Sequence, residues 1–168
     1  MQEPASPMPN QINKKILTST LAPWIPHRPP MIWIDEVISF GPKGGECLVH
    51  LKSDAGYLTR GKLRPSSLFE FVAQAQAFVG ICCAMEQGSA EVAFREAFLV
   101  AVTDANLEDW RDFKDAEPGT TLTVKVSAPR SLGPINIFSG SVWTSDNICI
   151  GSTKMKAFVN RASTANSP

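Results

Sequence analysis

The longest run of apolar residues at helical spacing lies at Pro65–Gln87 and predicts a central helix. Ser67 and Glu70 match the S/T-x-x-E capping box, and Gly88 supplies a stop signal. Because apolar and small residues go most of the way round, we expect this helix to lie inside the protein. Glu70 and Gln74 share one stripe of it, which places a carboxylate and a carboxamide on an otherwise dry face. This stripe is the predicted location of any chemistry.

The rest of the chain carries the patterns of extended structure. Four prolines within residues 23–30 forbid a helix there and favour a rigid path. Residues 120–128 alternate strictly between apolar and polar side chains, which predicts a half-buried antiparallel strand. Strands are predicted at residues 31–40, 46–53, 98–107, 120–128, 134–143 and 148–159. One apolar helix and a run of antiparallel strands predict an α+β domain whose sheet curls around the helix.

Length and charge narrow the function classes. The 168 residues suit one domain, predicted at 13–160, with polar flexible tails at 1–12 and 161–168. The 16 basic and 16 acidic residues cancel, so nothing in the overall charge favours a nucleic acid partner. The N-terminus lacks the apolar run of a signal peptide, and no uncharged apolar stretch reaches 18 residues. We therefore expect no membrane span.

The four cysteines give no sign of a metal centre. They form no C-x-x-C motif and have no histidine at ligand spacing, so the sequence predicts neither a metal nor a cofactor. Reduced cysteines that fill the core are typical of a cytoplasmic protein, which is the location we expect.

Three motifs resemble those of the β-hydroxyacyl-acyl-carrier-protein dehydratases of type II fatty acid synthesis. They are WIPHRPPMIWIDEV at 24–37, EFVAQA at 70–75 and EPGTTLTVKV at 117–126. They occur in the order of that family, and the resemblance covers about residues 20–160. It implies a hot-dog fold, in which the sheet wraps the helix and two protomers pair.

One departure from that family concerns its catalytic base. Members carry a histidine in an H-F-P-G-x-P motif ahead of the helix, whereas residues 54–65 of this chain read DAGYLTRGKLRP. The missing histidine would fall near Gly56 or Tyr57. The P-H-x-x-P-M opening and this loss are more similar to the divergent dehydratase-like proteins of aryl polyene and related pigment pathways.

The resemblance implies a role for each part of a dehydration site. Glu70, desolvated by apolar neighbours and so expected to have a raised pKa, is the predicted acid. His27 is the predicted base, provided that the proline-rich segment folds over the pocket. Gln74 is expected to hold the Glu70 carboxylate, and backbone N–H groups at the helix start to bind the thioester oxyanion. The predicted substrate-binding residues are Gln74, Ser66, Ser67, Leu68 and Tyr57.

Each candidate also has a structural interpretation. Glu70 fits the third position of a capping box without any catalytic role. His27 would serve equally well by bonding a backbone carbonyl and fixing the turn. Tyr57 would plug the pocket where the histidine is lost, and Asp35 would pair with an arginine such as Arg28.

Three basic residues, Arg60, Lys62 and Arg64, alternate just before the helix. They form either a solvated surface or a docking patch for acyl carrier protein, which is acidic. Their position beside the expected pocket mouth supports the docking patch.

The leading hypothesis is a 3-hydroxyacyl-acyl-carrier-protein dehydratase, a hydro-lyase of a fatty acid or polyene pathway. One alternative is an acyl thioesterase, because some hot-dog thioesterases use a helix carboxylate and need no histidine. Another is a catalytically incomplete subunit that supports a dehydratase partner. A curled sheet leaves an unpaired edge, so we expect a homodimer or a heteromer with another hot-dog dehydratase.

Overall fold

The structure is a computed structural model that describes residues 10–89, 94–107, 109–110, 113 and 117–161. The elements in chain order are β1 (Ile12–Leu17), α1 (Thr18–Leu21), β2 (Glu36–Gly41), β3 (Gly44–His50), β4 (Leu58–Thr59), β5 (Lys62–Leu63), α2 (Ser67–Glu86), β6 (Phe94–Asn106), β7 (Thr121–Ser127), β8 (Arg130–Leu132), β9 (Ile135–Trp143) and β10 (Cys149–Arg161).

One large antiparallel sheet contains most of the strands. Its order is β1-β2-β3-β7-β9-β10-β6, with β8 paired to β9, while β4 and β5 form a separate hairpin. The helix α2 packs against β2, β3, β7, β9 and β10. A single long helix held by an antiparallel sheet confirms the predicted α+β hot-dog fold.

The core lies between α2 and the sheet. Leu122, Val124 and Val126 of β7 are buried and alternate with less buried polar residues, as the period-two pattern predicted. The sheet also comes very close to the helix, since a Cβ added at Gly140 would lie 2.4 Å from Val72 Cγ1. Glycine on the strand therefore allows β9 to pack directly on α2.

The helix α2 is long and apolar enough to cross a membrane, by length and composition alone. The mean hydropathy of its most apolar 18 residues is 1.6. Its place inside the sheet accounts for the same composition, because a core helix is apolar on most sides.

Several predicted boundaries are wrong. The strand expected at 31–40 begins only at Glu36, since the preceding residues cross α2 instead of joining the sheet. Strand β1 starts at Ile12 and β10 ends at Arg161, each inside a predicted tail. Residues 1–9 and 162–168 of those tails lie outside the described residues. The strands β1, β4, β5 and β8 were not predicted.

The predicted capping box is also absent. Ser66, not Ser67, occupies the N-cap position, and it makes no capping bond through its side chain. The Ser67 hydroxyl is buried and donates to the Arg64 carbonyl. Glu70 is therefore free of a capping role.

Candidate active site

The proline-rich segment, here called the strap (residues 25–34), crosses the helix face that carries Glu70. Its ends are anchored by the side chains of Ile25 and Ile34, which are 2% and 1% exposed. Arg28 Nη1 donates to the carbonyls of Ile25 at 2.6 Å and His27 at 2.7 Å, which tightens the turn around the histidine. Arg28 thus bonds to the strap itself and does not pair with Asp35, which contacts Lys52 instead.

Gln74 joins the strap to α2. Its Nε2 donates to the Met31 carbonyl at 2.7 Å and to Glu70 Oε1 at 2.6 Å, and its Oε1 accepts the Trp33 N–H at 2.8 Å. The side chain is 1% exposed, and these bonds use both of its N–H donors and one of the two acceptor positions of its oxygen. Gln74 holds the carboxylate as expected, but its assignment to direct substrate binding is corrected to a positioning role.

His27 and Glu70 are brought together by this arrangement. His27 Nε2 lies 3.1 Å from Glu70 Oε1, and the two side chains are 36% and 31% exposed. The contact joins residues more than forty positions apart in the sequence, and it meets the requirement that the strap fold over the helix. A carboxylate that accepts a bond from one ring nitrogen fixes the orientation of the imidazole.

The pKa of Glu70 is lowered from its ordinary value, which corrects the predicted raised value. Burial raises the pKa of this carboxyl, but the hydrogen bonds from His27 and Gln74, together with the charge of His27, outweigh the burial. Glu70 is therefore an ionised carboxylate at neutral pH and not a standing general acid.

A groove runs along α2 from this pair. It has a volume of about 180 Å³, and both His27 and Glu70 belong to its wall. The rest of the wall is mostly apolar or small and comes from α2, the strap and three strands; it includes Ala73, Ala77, Gly80, Phe98, Phe138 and Val159. The groove can hold an apolar chain whose reacting end lies at the histidine and the carboxylate.

The other predicted substrate-binding residues lie elsewhere. Ser67 and Leu68 are buried in the core, Ser66 is exposed, and none of the three belongs to the groove wall. The Ser67 N–H donates to the Arg64 carbonyl. The Ser67 N–H is therefore not available to an oxyanion, and the use of the other N–H groups at the helix start stays a prediction.

Tyr57 is a core residue and does not plug the pocket. Its ring contacts those of Trp33 and Phe71, and its hydroxyl accepts the Lys52 N–H at 2.7 Å. Burial raises the pKa of this phenol despite the bond from Lys52. The position left by the missing histidine thus forms part of the hydrophobic core.

The basic residues Arg60, Lys62 and Arg64 lie on or beside the β4–β5 hairpin and are all exposed. None forms a salt bridge with a carboxylate among the residues that the structure describes. The Arg64 side chain donates to the Gly56 carbonyl at 3.1 Å. Their charges remain available to a partner.

Sequence reasoning missed the strand walls of the groove. Ala97, Phe98 and Leu99 of β6 and Phe138 of β9 contribute side chains from distant parts of the chain. The only sequence signal was on the helix, where Ala73, Ala77 and Gly80 repeat at helical spacing beside Glu70. In the described part of the chain, no cluster of three or more His, Cys, Asp or Glu residues is placed to hold a metal.

Solved structures of other proteins share the fold. A chain of the dehydratase heterocomplex ApeI:P from Xenorhabdus doucetiae superimposes with a TM-score of 0.68 and 16% identity, covering 82% of this chain and 88% of that chain. The PaaI protein from the phenylacetic acid degradation operon of E. coli gives 0.50 and 14%, over 74% and 78%. A hypothetical thioesterase with coenzyme A from Streptococcus pneumoniae gives 0.52 and 11%, over 74% and 84%. At these identities the likenesses establish the fold.

The sequence itself identifies the family. No protein of curated function matches it significantly. The family model described as "ApeP-like: ApeP dehydratase" matches residues 19–166. This match includes the strap, the helix with Glu70 and Gln74, and the large sheet except β1. The chain therefore belongs to the ApeP-like dehydratase family.

Proposed function

We propose that this protein dehydrates 3-hydroxyacyl thioesters presented on acyl carrier protein, in the cytoplasm and within a fatty acid or polyene pathway. The contact of 3.1 Å between His27 Nε2 and Glu70 Oε1, in the wall of an apolar groove, is the observation that carries the proposal. A dehydratase needs a base, a way to protonate the leaving hydroxyl and space for an acyl chain. The His27–Glu70 contact and the apolar wall support assigning all three to this groove.

In the proposed reaction, His27 is the base. Its Nε2 hydrogen is donated to Glu70, so Nδ1 is left to remove the α-proton. The electrons of that C–H bond form the double bond while the bond between the β-carbon and the hydroxyl oxygen breaks. The leaving oxygen then takes the same proton back from the imidazolium and departs as water. His27 ends the cycle neutral, and no other proton donor is required.

Glu70 acts through His27. Its lowered pKa keeps it ionised, and its negative charge stabilises the imidazolium that forms when the α-proton is removed. In this assignment Glu70 is not the acid, and His27 both removes the α-proton and returns it to the leaving oxygen. The carboxylate orients the catalytic histidine and stabilises its protonated form, as the aspartate does in a Ser-His-Asp triad.

Carrier protein docking is proposed for the exposed hairpin. Arg60, Lys62 and Arg64 are exposed and have no carboxylate partner within the described part of the chain, and acyl carrier protein is acidic. Such rim charges affect mainly the association rate, so their removal should raise KM, with the effect disappearing at high salt.

A second candidate function is support of a dehydratase partner in a heteromer. The edge strand β6 favours it, because Phe98 and Val100 are 57% and 56% exposed in this chain alone. A long apolar edge strand normally pairs with or packs against another chain. The similar structure from Xenorhabdus doucetiae is itself a heterocomplex. Sedimentation should then show at least a dimer, and a clean monomer at micromolar concentration would argue against assembly.

The deciding experiment incubates the pure protein with 3-hydroxyacyl and saturated acyl carrier protein thioesters. Enoyl product from the protein alone supports the dehydratase, provided that His27→Ala abolishes it in a folded variant. Activity that appears only after a histidine-bearing hot-dog dehydratase is added supports the heteromer. Free thiol from the saturated thioester, without enoyl product, would overturn dehydration in favour of a thioesterase.

A further inference from the structure

We infer that Gly80 joins two grooves along α2 into one acyl channel and thereby sets the longest chain that the site accepts. The inference rests on the proposed function, since the acyl thioester places its reacting end at His27 and Glu70. It adds the chain-length class of the substrate, which the catalytic pair does not determine.

The second groove continues from the first toward the C-terminal end of α2. It has a volume of about 270 Å³. Its wall combines apolar residues, among them Ile12, Phe40, Val79 and Ala84, with the polar residues Asn10, Glu86, Gln87 and Ser89. Three residues belong to the walls of both grooves: Gln76, Gly80 and Pro129. The two grooves therefore meet at Gly80, about one helical turn beyond Gln76.

Gly80 has no backbone reason to be glycine. It lies in the interior of α2 and is not among the residues with positive φ. Glycine is less favourable than alanine within a helix, because it loses more conformational freedom on folding. Gly80 belongs instead to the walls of both grooves, so a side chain at this position would take up space where the two grooves meet.

The walls identify the acyl chain as the occupant. Beyond Glu70, the helix side of the first groove presents Ala73, Ala77 and Gly80, and the strands add Phe138 and Val159. The acyl chain is the apolar part of a carrier-bound thioester, whereas the phosphopantetheine arm carries amides and a phosphate. An apolar groove that starts at the reacting pair suits the former.

The rise per residue of α2 gives the length of each groove, and hence the number of acyl carbons that fits in it. Gly80 is ten residues beyond Glu70, or about 15 Å along the helix. Carbon atoms bonded at about 1.5 Å advance about 1.3 Å each in an extended chain, so about twelve carbons fill the first groove. The second groove reaches Gln87, about 10 Å further on, and has room for about eight more carbons. Chains longer than about twelve carbons must therefore pass Gly80.

The test measures binding of saturated acyl thioesters, of about 6 to about 18 carbons, to the full-length protein by calorimetry. Wild type should gain affinity with chain length past about twelve carbons, because each buried methylene adds to binding. Gly80→Leu should lower the ratio of affinities for chains of about sixteen and about eight carbons by about tenfold. An unchanged ratio in a folded Gly80→Leu protein would overturn the inference.

Two further variants keep the test decisive. Ala77→Leu, about 10 Å along the helix from Glu70, should move the length limit to shorter chains even if Gly80→Leu does not fold. Met85→Leu is the matched control, because Met85 is 40% exposed on the same helix and belongs to neither groove wall. It should keep the wild-type ratio, and a shift as large as that of Gly80→Leu would refute a local effect at the junction.

The outcome is separable from that of the proposed function. Turnover of 3-hydroxyacyl thioesters without any gain in affinity beyond about eight carbons would reject the channel and leave dehydration standing. A chain-length limit that moves with Gly80→Leu, in a protein that dehydrates nothing alone or with a partner, would support the channel and reject dehydration.

Discussion

The residues that the structure describes include two histidine–glutamate pairs, and only one of these two resembles a catalytic site. His27 Nε2 lies 3.1 Å from Glu70, on a groove along the helix. His50 Nε2 lies 3.8 Å from Glu36, between adjacent strands of the sheet. Both pairs combine the same two side chains, so the residue types alone do not separate them.

Their remaining contacts separate them. In the second pair, His50 Nδ1 is hydrogen-bonded to Thr121 Oγ1 at 3.0 Å. Lys15 Nζ lies 2.8 Å from Glu36 Oε2. In the first pair, His27 Nδ1 has no partner among the described residues. A histidine can act as a base only through a free nitrogen that a substrate can reach. The second pair is therefore structural, and its residues are matched controls for the first.

The largest expected difference comes from removing each imidazole. His27→Ala should lower dehydration by about a thousandfold, because the group that removes the α-proton is lost. His50→Ala should retain activity within a few fold, since it removes only a bond between strands. Enoyl formation by both folded variants is the measurement. Comparable activity in His27→Ala and wild type would eliminate His27 as the base.

Replacing the carboxylates should give the next largest difference. Glu70→Gln should cost about a hundredfold, because an amide cannot stabilise the imidazolium. It should also change the dependence of turnover on pH, which a purely structural role would leave alone. Glu36→Gln is the control and should behave like wild type. The carboxylate has no part in the reaction if the two variants are equally active.

A smaller effect is expected from the residue that aligns the first pair. Gln74→Leu leaves the Trp33 N–H and the Met31 carbonyl unpaired, so the free energy of unfolding should fall by about 2 kcal/mol. Turnover in the folded fraction should fall by about tenfold with little change in KM, because the pair is misplaced. Gln11→Leu is the control, since Gln11 also bonds a backbone carbonyl, that of Gly44. Equal activity in the two variants would contradict a positioning role.

The smallest effect concerns stability in acid. The pKa of Glu70 in the folded protein is below its ordinary value of 4.5. The ionised carboxylate therefore contributes fully to the free energy of unfolding at higher pH. That contribution should be lost as the pH falls below about 4.5 through the folded value. Chemical denaturation between about pH 6 and about pH 3 should show a weaker acid dependence for Glu70→Gln than for the wild-type protein. Identical profiles would mean that the folded protein does not favour the ionised form of Glu70.

The sequence already predicted much of the fold. The period of its apolar residues located α2 within two residues at its start and one at its end, and the strict alternation at Leu122, Val124 and Val126 located β7. Both predictions succeed because burial is decided by local periodicity in a long element. Strand β1 was missed, since its short polar segment gains its structure only by pairing with β2.

The sequence predicted only part of the candidate site correctly. Glu70 and Gln74 were paired correctly, because residues four apart on a helix always face each other. The direction of the Glu70 pKa shift was wrong, since burial was visible in the apolar neighbours but the bond from His27 was not. The capping box failed for a similar reason: a motif of two residues does not determine where the helix begins.

By itself, then, the sequence determined the central helix, the antiparallel strands and the spacing of Glu70 and Gln74, because these depend on neighbours within a few residues. The tertiary structure decided which histidine meets which carboxylate. The strap brings His27 across α2 through bonds to Gln74 and Arg28, and β6, β9 and β10 close the groove from distant parts of the chain. Such contacts join groups far apart in sequence, and they are set by how the sheet wraps the helix.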